Sequence, residues 1–198
     1  MIEIRKGIPG DIPRVAEIYE HILDMEEEGS GATGWVRGVY PTERTAGEAV
    51  EAGELFVLLA DGVVAAAARI NQIQVPEYAD AVWEFPDAKE EQIMVLHTLV
   101  VDPAFAKKGY GSRFVSFYEQ YAAENGCPFL RMDTNAKNSA ARRLYGRLGY
   151  REAGIVSCEF NGIPGVQLVC LEKTLKAKSS ARDQSEDLRN KSITQRGT

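Results

Sequence analysis

Leu99–Asn125, LVVDPAFAKKGYGSRFVSFYEQYAAEN, runs from a β-branched strand through a Gly-rich turn into an amphipathic helix. Asp102-Pro103 breaks the strand, and the turn Ala106-Lys107-Lys108-Gly109-Tyr110-Gly111 aims several backbone N–H groups at one place. Those donors sit at the positive end of the helix that follows, so the joint reads as an anion site for linked phosphates. Charge-assisted hydrogen bonds of about 1.5–3 kcal/mol each would hold a diphosphate there. The pattern is not a Walker loop, because the lysines precede the glycines. Nor is it a dinucleotide fingerprint, since Phe114 stands where the third Gly belongs. Taken alone, a Gly-x-Gly turn is equally an ordinary strand-to-helix connection.

A second stretch, Asn138–Tyr150, NSAARRLYGRLGY, reads as a short helix. Asn138 is a good N-cap, Ala141, Leu144, Tyr145 and Leu148 form one apolar stripe, and Gly149 supplies the stop.

Around these, Ile2–Arg5 reads as a first strand, followed by a helix opening at Asp11 and Pro13. Its stripe is Ile12, Val15, Ile18, Tyr19, Ile22 and Met25. After the loop ATGWVRGVYPT comes a short helix from Thr42 to Ala52, then a hairpin of Leu55–Ala60 and Val63–Asn71 around Asp61-Gly62. Residues 72–91 form a long polar and aromatic connection of a length that is often functional. Ile93–Val101 is the fourth strand, Phe129–Asp133 the fifth, and Tyr150–Val156 with Val166–Thr174 a closing hairpin.

With the turn, the capped helix and the hairpin in this order, the chain resembles the GNAT acyltransferase superfamily, enzymes that use acetyl-CoA. The resemblance runs from Ile2 to Leu175. It implies a mixed α/β GNAT fold with a central twisted, mainly antiparallel sheet of about seven strands, splayed between strands 4 and 5 and flanked by about four helices. That makes residues 1–175 one acyltransferase domain and 176–198 a polar C-terminal tail whose composition cannot offset the entropy of ordering. The family's turn usually begins with Arg or Gln, and Ala106 departs from this, removing a charge but none of the backbone donors.

By the resemblance, the cofactor's phosphates meet Ala106, Lys107, Lys108, Gly109, Tyr110, Gly111 and Ser112, while its arm pairs with the backbone of Leu99, Val100 and Val101. Asn138 touches that arm and Arg142 approaches the nucleotide phosphates; a helix cap and a surface arginine are the local alternatives. A backbone N–H in the strand would stabilise the oxyanion of the tetrahedral intermediate. Tyr145 occupies the position from which the family often donates to the departing sulfur, against a purely apolar role in its stripe.

An amine acceptor must lose a proton before it attacks, and His97 is the best base by chemistry, its ordinary pKa being about 6.5. It shares strand parity with Leu99 and Val101 unless a bulge intervenes. A structural histidine bonded to backbone is the alternative, and Glu84 could act instead, through water. The acceptor pocket is assigned to Trp35, Arg37 and Tyr40 of the first loop and to Tyr78, Trp83 and Glu84 of the long connection, where aromatics that merely anchor loops are the competing reading. His21 reads as a solvated surface residue.

Composition bounds the rest. At 198 residues with 44% hydrophobic and 26% charged residues, the chain suits one globular domain. A net charge of -6 argues against a nucleic-acid partner. The lack of a long apolar run and of a signal-like start favours a cytoplasmic protein without a membrane partner. Cys127, Cys158 and Cys170 show no metal-ligand spacing and read as free thiols, so no metal is expected. The expected activity is acetyl transfer from acetyl-CoA to a small amine by direct attack in a ternary complex. The alternatives are a non-catalytic acyl-CoA-binding or regulatory module, or an enzyme acetylating protein N-termini or lysines. A homodimer through the hairpin or the tail stays open.

Overall fold

The computed structural model describes residues 1–176. In chain order the elements are β1 (Ile2–Lys6), α1 (Ile12–Glu27), α2 (Glu43–Glu51), β2 (Leu55–Ala60), β3 (Val63–Asn71), β4 (Ile93–Val101), α3 (Tyr110–Glu124), β5 (Phe129–Asn135), α4 (Ser139–Arg147), β6 (Arg151–Phe160) and β7 (Ile163–Thr174). They build one seven-stranded sheet in the order β1-β2-β3-β4-β5-β7-β6. Every neighbouring pair is antiparallel except β4 and β5. The mixed α/β architecture with four α-helices is the one the sequence implied. The expected tail, from Ala177 onward, lies outside the described residues.

Each face of the sheet is covered by the stripe of a helix pair. On one face Phe114, Val115 and Tyr118 of α3 and Tyr145 of α4 pack on Leu58, Ala66, Leu96, Leu130 and Met132. On the other, Val15 and Ile18 of α1 with Ala46 and Ala49 of α2 cover Leu55, Val57, Ala67 and Val100. The α1 stripe is not wholly spent on the core: Leu23 is buried, while Ile22 and Met25 line a cavity.

The long 72–91 connection is organised by two 3-10 turns, Pro76–Asp80 and Glu90–Gln92. It lays Tyr78 and Trp83 onto Ile93, Val95, Ala153, Leu168 and Cys170, a third apolar cluster. The closing hairpin is longer than its apolar pattern suggested, reaching Phe160 and Ile163 around Asn161-Gly162. These two residues hold φ of 52° and 76°, the left-handed pair that a tight hairpin turn demands and that Asn-Gly supplies cheaply. Among the described residues no helix is long and apolar enough to cross a membrane.

Candidate active site

The parallel pairing of β4 with β5 stops at Leu96 opposite Met132. Beyond that point β4 stays with β3, as far as Val101 opposite Ala66, and β5 stays with β7, as far as Asn135 opposite Leu168. The two strands therefore part, and a wedge opens between His97–Val101 and Asp133–Asn135. Tyr118 closes its narrow end, its buried hydroxyl 2.6 Å from Met94 O and 3.1 Å from Arg131 O. Both walls belong to one cavity of about 1110 Å³.

A bulge shapes the β4 wall. Against β3 the register passes from His97 opposite Arg69 to Val100 opposite Ala67, so Thr98 and Leu99 together answer the single residue Ala68, and Thr98 takes φ 51°. Parity is reversed across it. Leu99 and Val101 pack toward α3, whereas Val100 packs toward α1. His97, two residues after Val95, stands on the opposite face from Leu99 and Val101. The shared parity read from the sequence is thus corrected by the bulge.

At the other end of the cavity, Lys107 and Gly109 hold left-handed φ of 61° and 78°. Successive turns of this kind form a concave nest of N–H groups, and α3 begins on it at Tyr110. Ala106, Lys107, Gly109, Tyr110, Gly111 and Ser112 all line the cavity. Gly111 sits where α3 approaches α4 and β4 closely: a Cβ there would lie 3.3 Å from Leu144 Cδ2, which would have to yield by a few tenths of an ångström, and 3.9 Å from Val101 Cγ2. Asn138 caps α4, its side chain accepting from Ala141 N at 3.0 Å, and also lines the cavity.

Within the wedge, Tyr145 is buried, packs edge-on against Tyr150 and borders the cavity. Burial, then the charge of Asp133, raises its phenol pKa, so it stays protonated and able to donate. His97 Nε2 lies 3.1 Å from Ile73 O and 2.9 Å from Asn71 Oδ1. Since a carbonyl only accepts, Nε2 carries the hydrogen. Burial and the nearby Arg69 lower the His97 pKa to about 4, which keeps the ring neutral and makes it a poor base. Its place is at the end of a chain in which Arg69 Nε and Asn71 Nδ2 donate to Glu54 Oε2 at 2.6 and 2.9 Å. Asp133, on the β5 wall, accepts from Tyr78 OH at 2.8 Å. Its carboxyl pKa is pushed up to about 6, chiefly by burial. Tyr40 bonds Thr98 at the bulge, and Trp35 packs edge-on against Tyr40, both lining the cavity.

The acetyltransferase (GNAT) family profile matches residues 16–150. The chain belongs to the GNAT family. A curated relative, the uncharacterised N-acetyltransferase YhfO of Bacillus subtilis (strain 168), is 37% identical over 68 residues, which is 34% of this chain and 46% of that protein. This chain thus spans about half the length of that relative. An acetyltransferase of the GNAT family from Streptococcus agalactiae 2603 shares the fold with a TM-score of 0.74 at 18% identity, over 89% of this chain and 96% of that one. The yncA protein of Salmonella typhimurium, solved with its cofactor acetyl-CoA, gives 0.66 at 19% identity over 91% and 97%. Both likenesses speak for the GNAT fold.

Six residues assigned to this GNAT site from the sequence, Lys108, Arg142, Trp83, Glu84, Arg37 and Tyr78, lie outside the cavity. Lys108 turns its ammonium over the Phe105 ring, 4.8 Å from the centroid. Arg142 is held by Glu152 through Nε and Nη2 at 2.7 and 2.8 Å. Trp83 is buried beneath the long connection, donating from Nε1 to Tyr78 O at 2.8 Å with Arg131 stacked at 4.1 Å. Glu84 is exposed, and only its backbone N–H is engaged, by Glu172 at 2.9 Å. Arg37 is likewise spent on Glu20, Asp24 and Glu27 along α1. His21 does not stand free on the surface; its Nδ1 is 3.2 Å from Asp102 Oδ1, the buried carboxylate that ends β4. In exchange the cavity includes Asp133, Thr98, Arg147 and the hairpin residues Phe160, Asn161 and Ile163, which the sequence reading passed over.

Proposed function

We propose that this chain transfers the acetyl group of acetyl-CoA to a primary amine of a small molecule by direct attack in a ternary complex. The observation that carries the reading is the wedge between β4 and β5 opening into the same cavity as the N–H nest at the start of α3. The nest and the positive end of α3 suit the linked phosphates, with Lys107 adding charge where Ala106 supplies none. The unpaired edge of β4 from Leu99 to Val101 suits an arm that docks as β5 would have done. The Thr98 bulge interrupts the β4 ladder beside the wedge, and a strand N–H there is the donor we assign to the carbonyl oxygen as it gains charge, a contribution of about 2.7–4 kcal/mol where such donors have been removed elsewhere.

Tyr145 then serves the departing sulfur. Its raised pKa suits a hydrogen-bond donor that stabilises the thiolate as the C–S bond breaks, in preference to an acid that ionises beforehand. A covalent acyl-cysteine route finds no support. None of the three thiols lines the cavity, and burial raises the pKa of each, that of Cys170 to about 12.

A small acceptor is favoured over a protein by the roof of the site. The tip of the β6–β7 hairpin meets the 31–41 loop, where a Cβ on Gly162 would lie 3.4 Å from Val39 Cγ1. Two measurements test the reading: titration calorimetry with CoA, and CoA release from acetyl-CoA over a panel of primary amines. Saturable binding with turnover on at least one amine is expected. Lack of binding at millimolar CoA ends the reading, and binding without turnover on any acceptor replaces it with a non-catalytic acyl-CoA module.

A further inference from the structure

An amine reaches this site as an ammonium ion, and the wedge must hold a group that takes its proton. We propose that Asp133, steadied by Tyr78, is the catalytic residue that receives this proton, and that the acceptor is a primary ammonium on an apolar body; this rests on the acetyl-transfer reading above.

The placement comes from the sheet. Ile93 faces Phe129 and Val95 faces Arg131 in the parallel register, so the next step of the same alternation sets His97 toward Asp133 on either side of the opening. Both stand on the α1 side, while Tyr145 approaches from the α4 side, giving the acceptor and the leaving sulfur opposite faces of the wedge. Tyr78 OH binds Asp133 Oδ2 at 2.8 Å, which fixes the carboxylate and leaves Oδ1 for a ligand. Around it the cavity wall is Val75, Ile163, Val166 and Leu168, a lining for hydrocarbon.

The groups facing Asp133 explain why it waits for a cation. Tyr78 and Glu77 come from the 3-10 turn, Cys170 from β7, Cys158 from β6, Tyr40 from the 31–41 loop and Tyr145 from α4. None of these is a cation, and Glu77 acts to raise the Asp133 pKa further. The nearby guanidinium groups are engaged elsewhere. Arg69 is paired with Glu54, and Arg131 lies on Trp83 with bonds to Gln74 and Phe85 O. A half-buried carboxylate with no cation facing it has its pKa raised, here to about 6, so near pH 7 it is ionised yet a far better proton acceptor than His97.

The protons balance. The ammonium gives one proton to Asp133, and the freed nitrogen pair forms the N–C bond to the thioester carbon. The C–S bond breaks with its electrons on sulfur, and the thiolate, held by the Tyr145 hydroxyl, takes up the second nitrogen proton as the tetrahedral intermediate collapses. Asp133 releases its proton to water when the amide leaves, so each turnover yields amide, CoA thiol and one proton.

The test measures kcat/KM for acetyl-CoA with n-hexylamine and with benzylamine between about pH 5 and 8, beside CoA titrations. The wild type should show an acidic limb near pH 6. Asp133→Asn should lower kcat by about 10²- to 10⁴-fold and abolish the limb while CoA affinity holds. Because the Tyr78 hydrogen bond pulls the Asp133 pKa down, Tyr78→Phe should move the limb upward by up to about one pH unit. Retained kcat or a retained limb in Asp133→Asn overturns the assignment. So does an unmoved limb in Tyr78→Phe, which decides the matter should Asp133→Asn fail to fold. Wild-type protein that binds CoA but turns over neither amine overturns the acceptor class, whereas absence of CoA binding removes the transfer reading and this assignment with it.

Discussion

His97 and Asp133 carry pKa values displaced in opposite directions, and replacing either one should unmask the other in the acid stability of the protein. The His97 pKa falls from 6.5 to about 4. Between those values the unfolded chain binds a proton that the native protein refuses, so this stability is complete above pH 6.5 and lost as pH falls toward 4. At about 1.4 kcal/mol per pH unit, the loss is about 3 kcal/mol. Asp133 runs the other way, from 3.8 to about 6. Its native form binds the proton first, so stability rises by about 3 kcal/mol as pH falls through that window. In the wild type the two nearly offset. His97→Gln keeps an N–H donor for Ile73 O and removes the titration; relative to wild type, its unfolding free energy should rise by about 3 kcal/mol on going from pH 7 to 4. Asp133→Asn should fall by a similar amount. Carboxylates such as Asp11, Asp102 and Glu152, whose pKa values are lowered by their partners, titrate in all three proteins and cancel in the differences. Urea denaturation followed by tryptophan fluorescence at pH 7, 5.5 and 4 measures them. Parallel stability curves for His97→Gln and wild type would mean that the native imidazole titrates normally, and would return His97 to candidacy as the base.

Three further outcomes follow from the site. Tyr145→Phe should cut kcat by about 10- to 10⁴-fold with little change in CoA affinity; an unchanged kcat removes Tyr145 from the chemistry. Gly111→Val places a branched side chain where Leu144 Cδ2 is only 3.3 Å from the first added carbon, so stability should drop by about 1–3 kcal/mol. CoA binding should weaken with it, and unaltered calorimetric affinity would dissociate the nest from phosphate recognition. Arg142→Ala, by contrast, breaks a surface pair with Glu152 and a 3.2 Å hydrogen bond to Ala136 O, and should leave CoA affinity within about twofold; a larger loss would show that the guanidinium leaves Glu152 to meet the ligand.

What the sequence disclosed and what it withheld divide along the range of the forces involved. The β4–turn–α3 unit and the capped α4 were legible because each is decided within one short stretch: a strand broken by Asp102-Pro103, left-handed residues at Lys107 and Gly109, Asn138 bonded to Ala141 N. The facing of His97 was not legible, because it depends on a bulge at Thr98, a residue type that seldom takes positive φ and gives no local sign of doing so. Asp133 was hidden for a different reason. In FLRMDTN it looks like the polar end of a strand, and its place against the cavity is made by Tyr78, 55 positions earlier, which the long connection brings over β5. The same connection misled on Trp83 and Glu84, since an aromatic in a long loop can line a cavity or anchor the loop, and only tertiary contact decides; here Trp83 closes over Tyr78 and Arg131. The anchoring role is not idle, however. By fixing Tyr78, Trp83 holds the hydroxyl that orients Asp133, so a segment absent from the cavity wall beyond Ile73 and Val75 still governs the charge within it.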